Sequence, residues 1–336
     1  INCLSGQNEF SKWYFGTYAG LDFSTQPPTA LANGSLNTAE GVATISDSGG
    51  NLLFYTDGLQ IFNNIHTIMA NGNGLFGNFS STQSANIVKQ PGNNNIYYVF
   101  TAEGPGSNGL CYSIVDMTLA AGLGSVTVKN TTLYTPTCEK QVAVRHCNGR
   151  DVWIVTHHYG SNEFRNYLLT NSGISASPVI SAIGDAPAGT GNAIVSAIGQ
   201  LKISPDGKKL AMATTSSSVP NSLGVGGFQL FDFDAATGIV SNSLTLLSGS
   251  NLTMGAGAYG VEFSPDGKKL YGSTSPAFSP NFTCTLHQWD ICASSSLAIV
   301  NSQYSISLSG GGVGSLQRAI DGKIYLALGS AFTQSL

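Results

Sequence analysis

The sequence predicts an all-β chain built as a β-propeller of six or seven four-stranded blades, of the WD40 or YVTN-like kind. Three observations lead there. SPDGKKL occurs twice, in KISPDGKKLAMA (202–213) and VEFSPDGKKLYGS (261–273), and a repeat at this period marks an array of similar units. Each copy is an alternating apolar segment, a turn and a second alternating segment. In the turn Pro205 or Pro265 presets φ, Asp206 or Asp266 bonds its own backbone and Gly207 or Gly267 accepts a positive φ, which makes the unit a β-hairpin. Short alternating segments then recur along the chain, and no stretch shows a convincing 3.6-residue apolar period.

The elements follow in order. Residues 12–31, KWYFGTYAGLDFSTQPPTAL, hold two aromatic-rich segments split by Gly20 and closed by Pro27-Pro28, and read as one or two strands. Residues 40–62 give a hairpin with an Asp-Ser-Gly-Gly turn, and 63–83 read as a polar connector. Strand, turn and strand return over 84–104, with further strands at 112–119 and 125–134. The next unit covers 139–160, then EFRNYLLT and the Asn-Ser-Gly turn at 171–173. Residues 199–215 and 227–249 form another, with DFDAATG (232–238) turning between its third and fourth strands. The second SPDGKKL unit pairs with 285–308, and 313–330 present the hairpin once more.

The hairpin turns fall near 48, 93, 148, 206, 266 and 321, and each unit carries four short strands. Radial packing of such units buries both faces of each blade and leaves only short edges. Six turns predict six blades, or seven if the N-terminal strands form their own. A single propeller domain spans 1–336, its last blade completed by residues 12–31 or by chain beyond 336. A two-sheet sandwich is the rival fold, but it gives no reason for SPDGKKL to recur.

Charged residues make up 10% of the chain, the apolar fraction is 42% and the net charge is −4, a composition neither disordered nor membrane-spanning. There is no basic cluster, which argues against nucleic acid and anionic lipid as partners. The start INCLSGQ lacks Met and predicts a mature product whose signal peptide has been removed, although an arbitrary boundary reads the same way. Six cysteines fit an oxidising compartment, and Cys138/Cys147 and Cys284/Cys292 are near enough in sequence to bridge a hairpin or strand end; free buried thiols are the other reading. Asn-x-Ser/Thr sequons stand at Asn33, Asn78, Asn130, Asn251 and Asn281.

NLLFYTDG (51–58), H-x-x-M-x-N-G-x-G-L (66–75), SSTQSA-x-IV (80–88), PG-x-x-N-x-YY-x-F (91–100), Y-S-x-V-D-M-x-L (112–119), NGRDVWIVTH (148–157) and YGVEFSPDGKKLY (259–271) together resemble one family. It is the propeller-like N-terminal region of large secreted Bacteroidota proteins exported by the type IX secretion system. These often carry PKD-type repeats and a gliding-motility-associated type B C-terminal sorting domain. The resemblance implies an extracellular or outer-surface location, contact with the secretion machinery through a C-terminal domain this sequence lacks, and a role in adhesion or gliding. It carries over no catalytic residue.

His157-His158 is the best metal-like pair, but adjacent residues of a strand point to opposite faces and do not easily share an ion. A structural role outweighs it, and does so more strongly for the isolated His66, His146 and His287. Asp47, Asp57, Asp206, Asp266 and Asp321 occupy turns. A repeated aspartate suits Ca²⁺, but no D-x-D-x-D-G loop is present and turn capping explains each, so no cofactor is predicted. Glu139-Lys140 and Glu262 could line a channel or an end-face, but solvated charges or strand-end pairs are the default reading. Trp13, Trp289 and Tyr159 lie near strand ends, where a ring stacks on a sugar, against a core or rim reading. The candidate ligand set is His157, His158, Tyr159 and Trp289, with no catalytic or metal residues; no nucleophile elbow, P-loop or dinucleotide fingerprint occurs.

Three functions follow. The first is a non-enzymatic secreted adhesion module binding a glycan or surface protein. The second is a propeller enzyme, lactonase-like or glycan-degrading, with a central-channel site, which convergent His, Asp or Glu at the channel mouth would favour. The third is a structural subunit of a surface filament or secretion-associated assembly.

Overall fold

The computed structural model describes residues 8–188, 196–215, 226–248, 256–276, 283–309 and 314–327. An N-terminal meander of β1 (Lys12–Phe15), β2 (Ala19–Asp22) and β3 (Thr29–Leu31) precedes the repeating units. The first unit is β4 (Ala43–Ser46), β5 (Leu52–Thr56), β6 (Gln60–Asn63) and β7 (Ile68–Asn73). The second is β8 (Ala85–Lys89), β9 (Ile96–Ala102), β10 (Leu110–Asp116) and β11 (Ser125–Tyr134). In the third, β12 (Thr137–Arg145), β13 (Val152–His158) and β14 (Glu163–Thr170) are followed by a split outer strand, β15 (Gly173–Ile174) and β16 (Val179–Ala182), both paired with β14. The fourth is β17 (Leu201–Ile203), β18 (Lys209–Thr214), β19 (Gly227–Asp234) and β20 (Ile239–Ser248). The fifth is β21 (Ala256–Phe263), β22 (Lys269–Pro276), β23 (Thr283–Asp290) and β24 (Tyr304–Ser309), and the last hairpin is β25 (Leu316–Arg318) with β26 (Ile324–Leu326).

Hydrogen bonding groups these into sheets of three, eight, five, four, four and two strands. The eight-stranded sheet is two meanders joined at their outer edges by one parallel bridge, Ser125 to Ala70. Each expected turn closes its hairpin in the same way. A backbone N–H just before the turn donates to a carbonyl just after it: Asp47 to Asn51, Gln90 to Ile96, His146 to Asp151, Ser204 to Lys209, Ser264 to Lys269 and Ala319 to Lys323.

The arrangement is propeller-like. The first strands β4, β8, β12, β17, β21 and β25 pack on one another in chain order. Units two apart also exchange hydrogen bonds there, as when Gln83 Oε1 accepts from Leu201 N–H (2.8 Å) across the intervening third unit. Only strands converging on an axis permit that. The core is correspondingly divided into clusters between neighbouring units: Phe54 and Ile61 with Tyr97 and Val99, Phe100 and Leu110 with Ile154 and Leu169, Phe164 with Phe231, and Phe228 with Trp289. Each such side chain contributes roughly 1.5–3 kcal/mol on burial. The N-terminal meander meets the last hairpin through rings, Tyr325 lying 5.6 Å from Trp13 and 5.5 Å from Phe23.

Three readings of the sequence are corrected. Residues 63–83 contain β7, anchored by the buried Met69. Residues 296–301 form a short helix, α1 (Ser296–Asn301), because the Ser295 side chain caps it by accepting from Ala298 N–H. The cysteine pairs are not bridged: Cys111, Cys138, Cys147, Cys284 and Cys292 are free. Cys138 stands near the start of β12 and Cys147 in the turn beyond its end, and Cys284 and Cys292 are placed likewise along β23. Eight or nine residues of extended chain span about 26–30 Å, several times the Cα separation a disulfide tolerates. Cys3 and the sequons at Asn251 and Asn281 lie outside the described residues.

Candidate active site

Every first strand runs from a mouth end on the axis to its hairpin turn. Polar residues crowd the mouth ends: Glu40 ahead of β4, Thr82 and Gln83 ahead of β8, Gly199 and Gln200 ahead of β17, and Ser315 ahead of β25. Glu139 and Tyr259 lie within β12 and β21, each where the ladder slips register, between Thr137 and Gln141 and between Ala258 and Val261. Such bulges bend a strand and re-aim its side chains. Here the bulge sends Glu139 to Thr82 and Lys140 into the fourth unit.

Glu139 Oε2 accepts from the Thr82 N–H (3.0 Å) and hydroxyl (3.2 Å), and that hydroxyl oxygen accepts from Gly199 N–H (3.1 Å). Gly41 N–H donates to Ser81 O (3.0 Å), which holds Glu40 beside the same segment. The approach requires glycine: a Cβ on Gly41 would sit 2.2 Å from Ser84 N and 2.6 Å from Ser81 O. Both carboxyls and the Tyr259 phenol are partly buried.

Burial, and then the neighbouring Glu139 carboxylate, push the Glu40 carboxyl up to about 8, with the Tyr259 hydroxyl pulling the other way. Burial raises Glu139 as well, but the two Thr82 donors and the Lys140 ammonium oppose it. The Tyr259 phenol is driven well up by burial and by Glu40. Oε2 of Glu40 is buried and accepts no hydrogen bond among the described residues. The two acids therefore occupy different environments: Glu139 is solvated by fixed donors, whereas burial and the Glu139 charge favour the protonated form of Glu40. Carboxyl pairs pushed apart in this way divide acid and base roles between them.

Lys140 is fully buried, and its three N–H groups reach Ile198 O (3.2 Å), Ala213 O (2.9 Å) and Thr214 Oγ1 (3.4 Å). Burial lowers its pKa. Glutamine amides lace the mouth ends together. Gln83 Oε1 also accepts from Gln141 N–H (3.3 Å), and Gln200 Oε1 accepts from Val261 N–H (3.2 Å) and Leu316 N–H (3.0 Å). Further toward the turns, Glu262 Oε2 accepts from Arg318 N–H (3.0 Å) and pairs with Lys202 (3.2 Å), which also reaches Gln317.

Of the residues singled out in the sequence, Glu139, Lys140 and Glu262 lie along this network, and the candidate ligand set is placed as follows. His157 is fully buried edge-on against Phe164, its Nδ1 at 2.9 Å from His158 O, and burial lowers its pKa to about 3. His158 faces the other way, stacked on Tyr134 and bonded to Ser161 Oγ (3.0 Å). Tyr159 is buried with Cys138 and Ala197. Trp289 is fully enclosed among Phe228 and His287 and presents no face to a sugar. The turn aspartates cap: Asp47 accepts from Gly49 and Asn51, Asp57 from Leu59 and Gln60, and Asp206, Asp266 and Asp321 from the N–H two residues on. Among the described residues no three His, Cys, Asp or Glu side chains group to hold a metal, and no helix is long and apolar enough to cross a membrane.

No protein-family model and no curated protein matches the chain. Similar solved structures exist. One is a luciferin-regenerating enzyme, 12% identical with a TM-score of 0.45, the match covering 85% of this chain and 81% of that one. Another is the periplasmic gluconolactonase PpgL of Pseudomonas aeruginosa, 10% identical with a TM-score of 0.45, covering 92% and 74%. A third, an oligogalacturonate lyase in complex with manganese, is 13% identical with a TM-score of 0.39, covering 80% and 62%.

Proposed function

We propose that the chain is a propeller enzyme that hydrolyses glycosidic bonds at the axial carboxyl pair, with Glu40 as general acid and Glu139 as general base. The observation that carries this is the convergence of Glu40 and Glu139, from units two apart, on one Thr82-centred network at the mouth of the axis. Two carboxyls with divided protonation are the equipment such hydrolysis needs. Water adds to the anomeric carbon and gives its proton to Glu139; the glycosidic C–O bond breaks as the leaving oxygen takes the proton of Glu40. Exchange with solvent restores both groups.

The resemblance of its motifs to those of type IX-exported proteins is what supports a secreted, outer-surface setting, where glycans are at hand. They also favour a second reading, an adhesion module in which the same mouth holds a glycan without cleaving it. Within the proposal the ring has seven sheets, the N-terminal meander standing between the last hairpin and the first unit, as the Tyr325 ring contacts suggest.

The test is release of reducing ends from a panel of soluble polysaccharides, with Glu40→Gln and Glu139→Gln as controls. Release by the wild type that falls about 100-fold or more in both variants supports the enzyme. Binding of a glycan with no product from any member leaves the adhesion reading in its place.

A further inference from the structure

The basic residues of the chain are distributed unevenly along the axis, and that bears on what the mouth accepts. All fourteen lysines and arginines fall among the described residues; the segments outside them carry no charged side chain at all. Most of the fourteen sit at or near the hairpin turns: Lys89, Arg145, Arg150, Lys208, Lys209, Lys268, Lys269, Arg318 and Lys323. Lys12 joins them, since the neighbouring Ser11 hydroxyl donates to Gly50 O in the turn after β4. Lys129 reaches Asn71 and Asn73 on the outer edge, and Lys202 is tied to Glu262 in mid-strand.

Only Lys140 and Arg165 remain at the mouth end, and both are engaged. Lys140 spends its three N–H groups on protein acceptors. Arg165, on the third strand of its unit, is held by Glu163 (2.8 Å) and lies over the Tyr134 ring. Facing them at the mouth ends of their strands are Glu40, Asp57, Glu103, Glu139, Glu163 and Asp185. Close to the axial pair, Gln141 Oε1 and the Ser81 hydroxyl are buried with no partner among the described residues, in side chains each 1% exposed. A sugar hydroxyl can donate to such a carbonyl oxygen, and the Ser81 hydroxyl can in turn donate to a sugar oxygen.

We propose that the axial mouth selects an uncharged glycan and rejects its uronate counterpart. The inference rests on the catalytic reading for the location of the site, but not on turnover. An anionic sugar would meet a surplus of acids over bases, with Lys140 and Arg165 already engaged by protein partners, and like charges at contact range in a partly buried site repel until salt screens them.

The experiment compares matched oligosaccharides, galacto-oligosaccharides against oligogalacturonides and gluco- against glucurono-oligosaccharides, by calorimetric binding to the whole chain and by product release. The expected result is at least about tenfold tighter binding of the neutral member. That preference should shrink in Glu139→Gln and at high salt, because both weaken the repulsion. Equal or tighter binding of the uronates, or no binding of any neutral member, overturns the inference. Neutral preference without cleavage leaves the inference standing and removes the catalytic reading, whereas cleavage of uronates does the reverse.

Discussion

Glu40 is held neutral at a cost in stability that is open to measurement. Its folded pKa of about 8 lies above the ordinary glutamate value, so the folded chain keeps a proton that the unfolded chain has lost. Stability is unaffected below the usual carboxylate range, falls as pH rises toward about 8, and is level again above it. Glu40→Gln should therefore be more stable than the wild type at pH 8 and lose this slope, which thermal melts at several pH values will show. The buried histidines act at the other end of the scale. Burial lowers His157 to about 3 and His287 to about 4, so both are neutral when folded. Their contribution is intact above the ordinary histidine range and is lost as pH falls through it toward 4. His287→Gln should flatten the acid limb of the stability curve below pH 6 unless loss of its bonds to Thr274 and Ser305 dominates, which a melt at pH 8 separates.

At the scale of elements, the hairpins were readable and the bulges were not. SPDGKKL specifies its own turn, because Ser204 and Asp206 supply the acceptors that the turn's N–H groups need, and Ser264 and Asp266 repeat them. Glu139-Lys140 reads in the sequence as solvated charges or a strand-end pair, with channel lining as the alternative, and in the structure Glu139 meets Thr82 while Lys140 enters the fourth unit. Glu40, Thr82 and Tyr259 did not stand out, since each looks like a loop residue until neighbouring units bring them together. The available signal is a polar residue beside glycine or glutamine just ahead of three first strands, Glu40-Gly41, Thr82-Gln83 and Gly199-Gln200, and within a fourth, Tyr259-Gly260. His157, Tyr159 and Trp289 are buried, the core reading the sequence also allows, because a ring near a strand end looks alike whether it packs between two sheets or faces solvent.

Two element-scale outcomes follow. Gln200→Ala leaves the buried N–H groups of Val261 and Leu316 without an acceptor and should cost about 2–4 kcal/mol in denaturant unfolding. Gly41→Ala forces backbone apart beneath Glu40, with an expected loss of about 3 kcal/mol or failure to fold.

The whole molecule is organised by one asymmetry. Turn ends carry capped aspartates and most of the lysines, a solvated face, while mouth ends carry partly buried acids, an orphaned carboxyl oxygen and a cation shut away from solvent. Stability alone does not account for a buried acid pair at the convergence of the units, because unpaired charge there works against folding. The most direct measurement is the pH dependence of hydrolysis of a neutral oligosaccharide by the wild type, Glu40→Gln and Glu139→Gln. The expected result is a bell-shaped wild-type profile whose alkaline limb falls near pH 8, with turnover lost in both variants. A profile without that limb, or either variant turning over like the wild type, would contradict the assignment of Glu40 as acid and Glu139 as base.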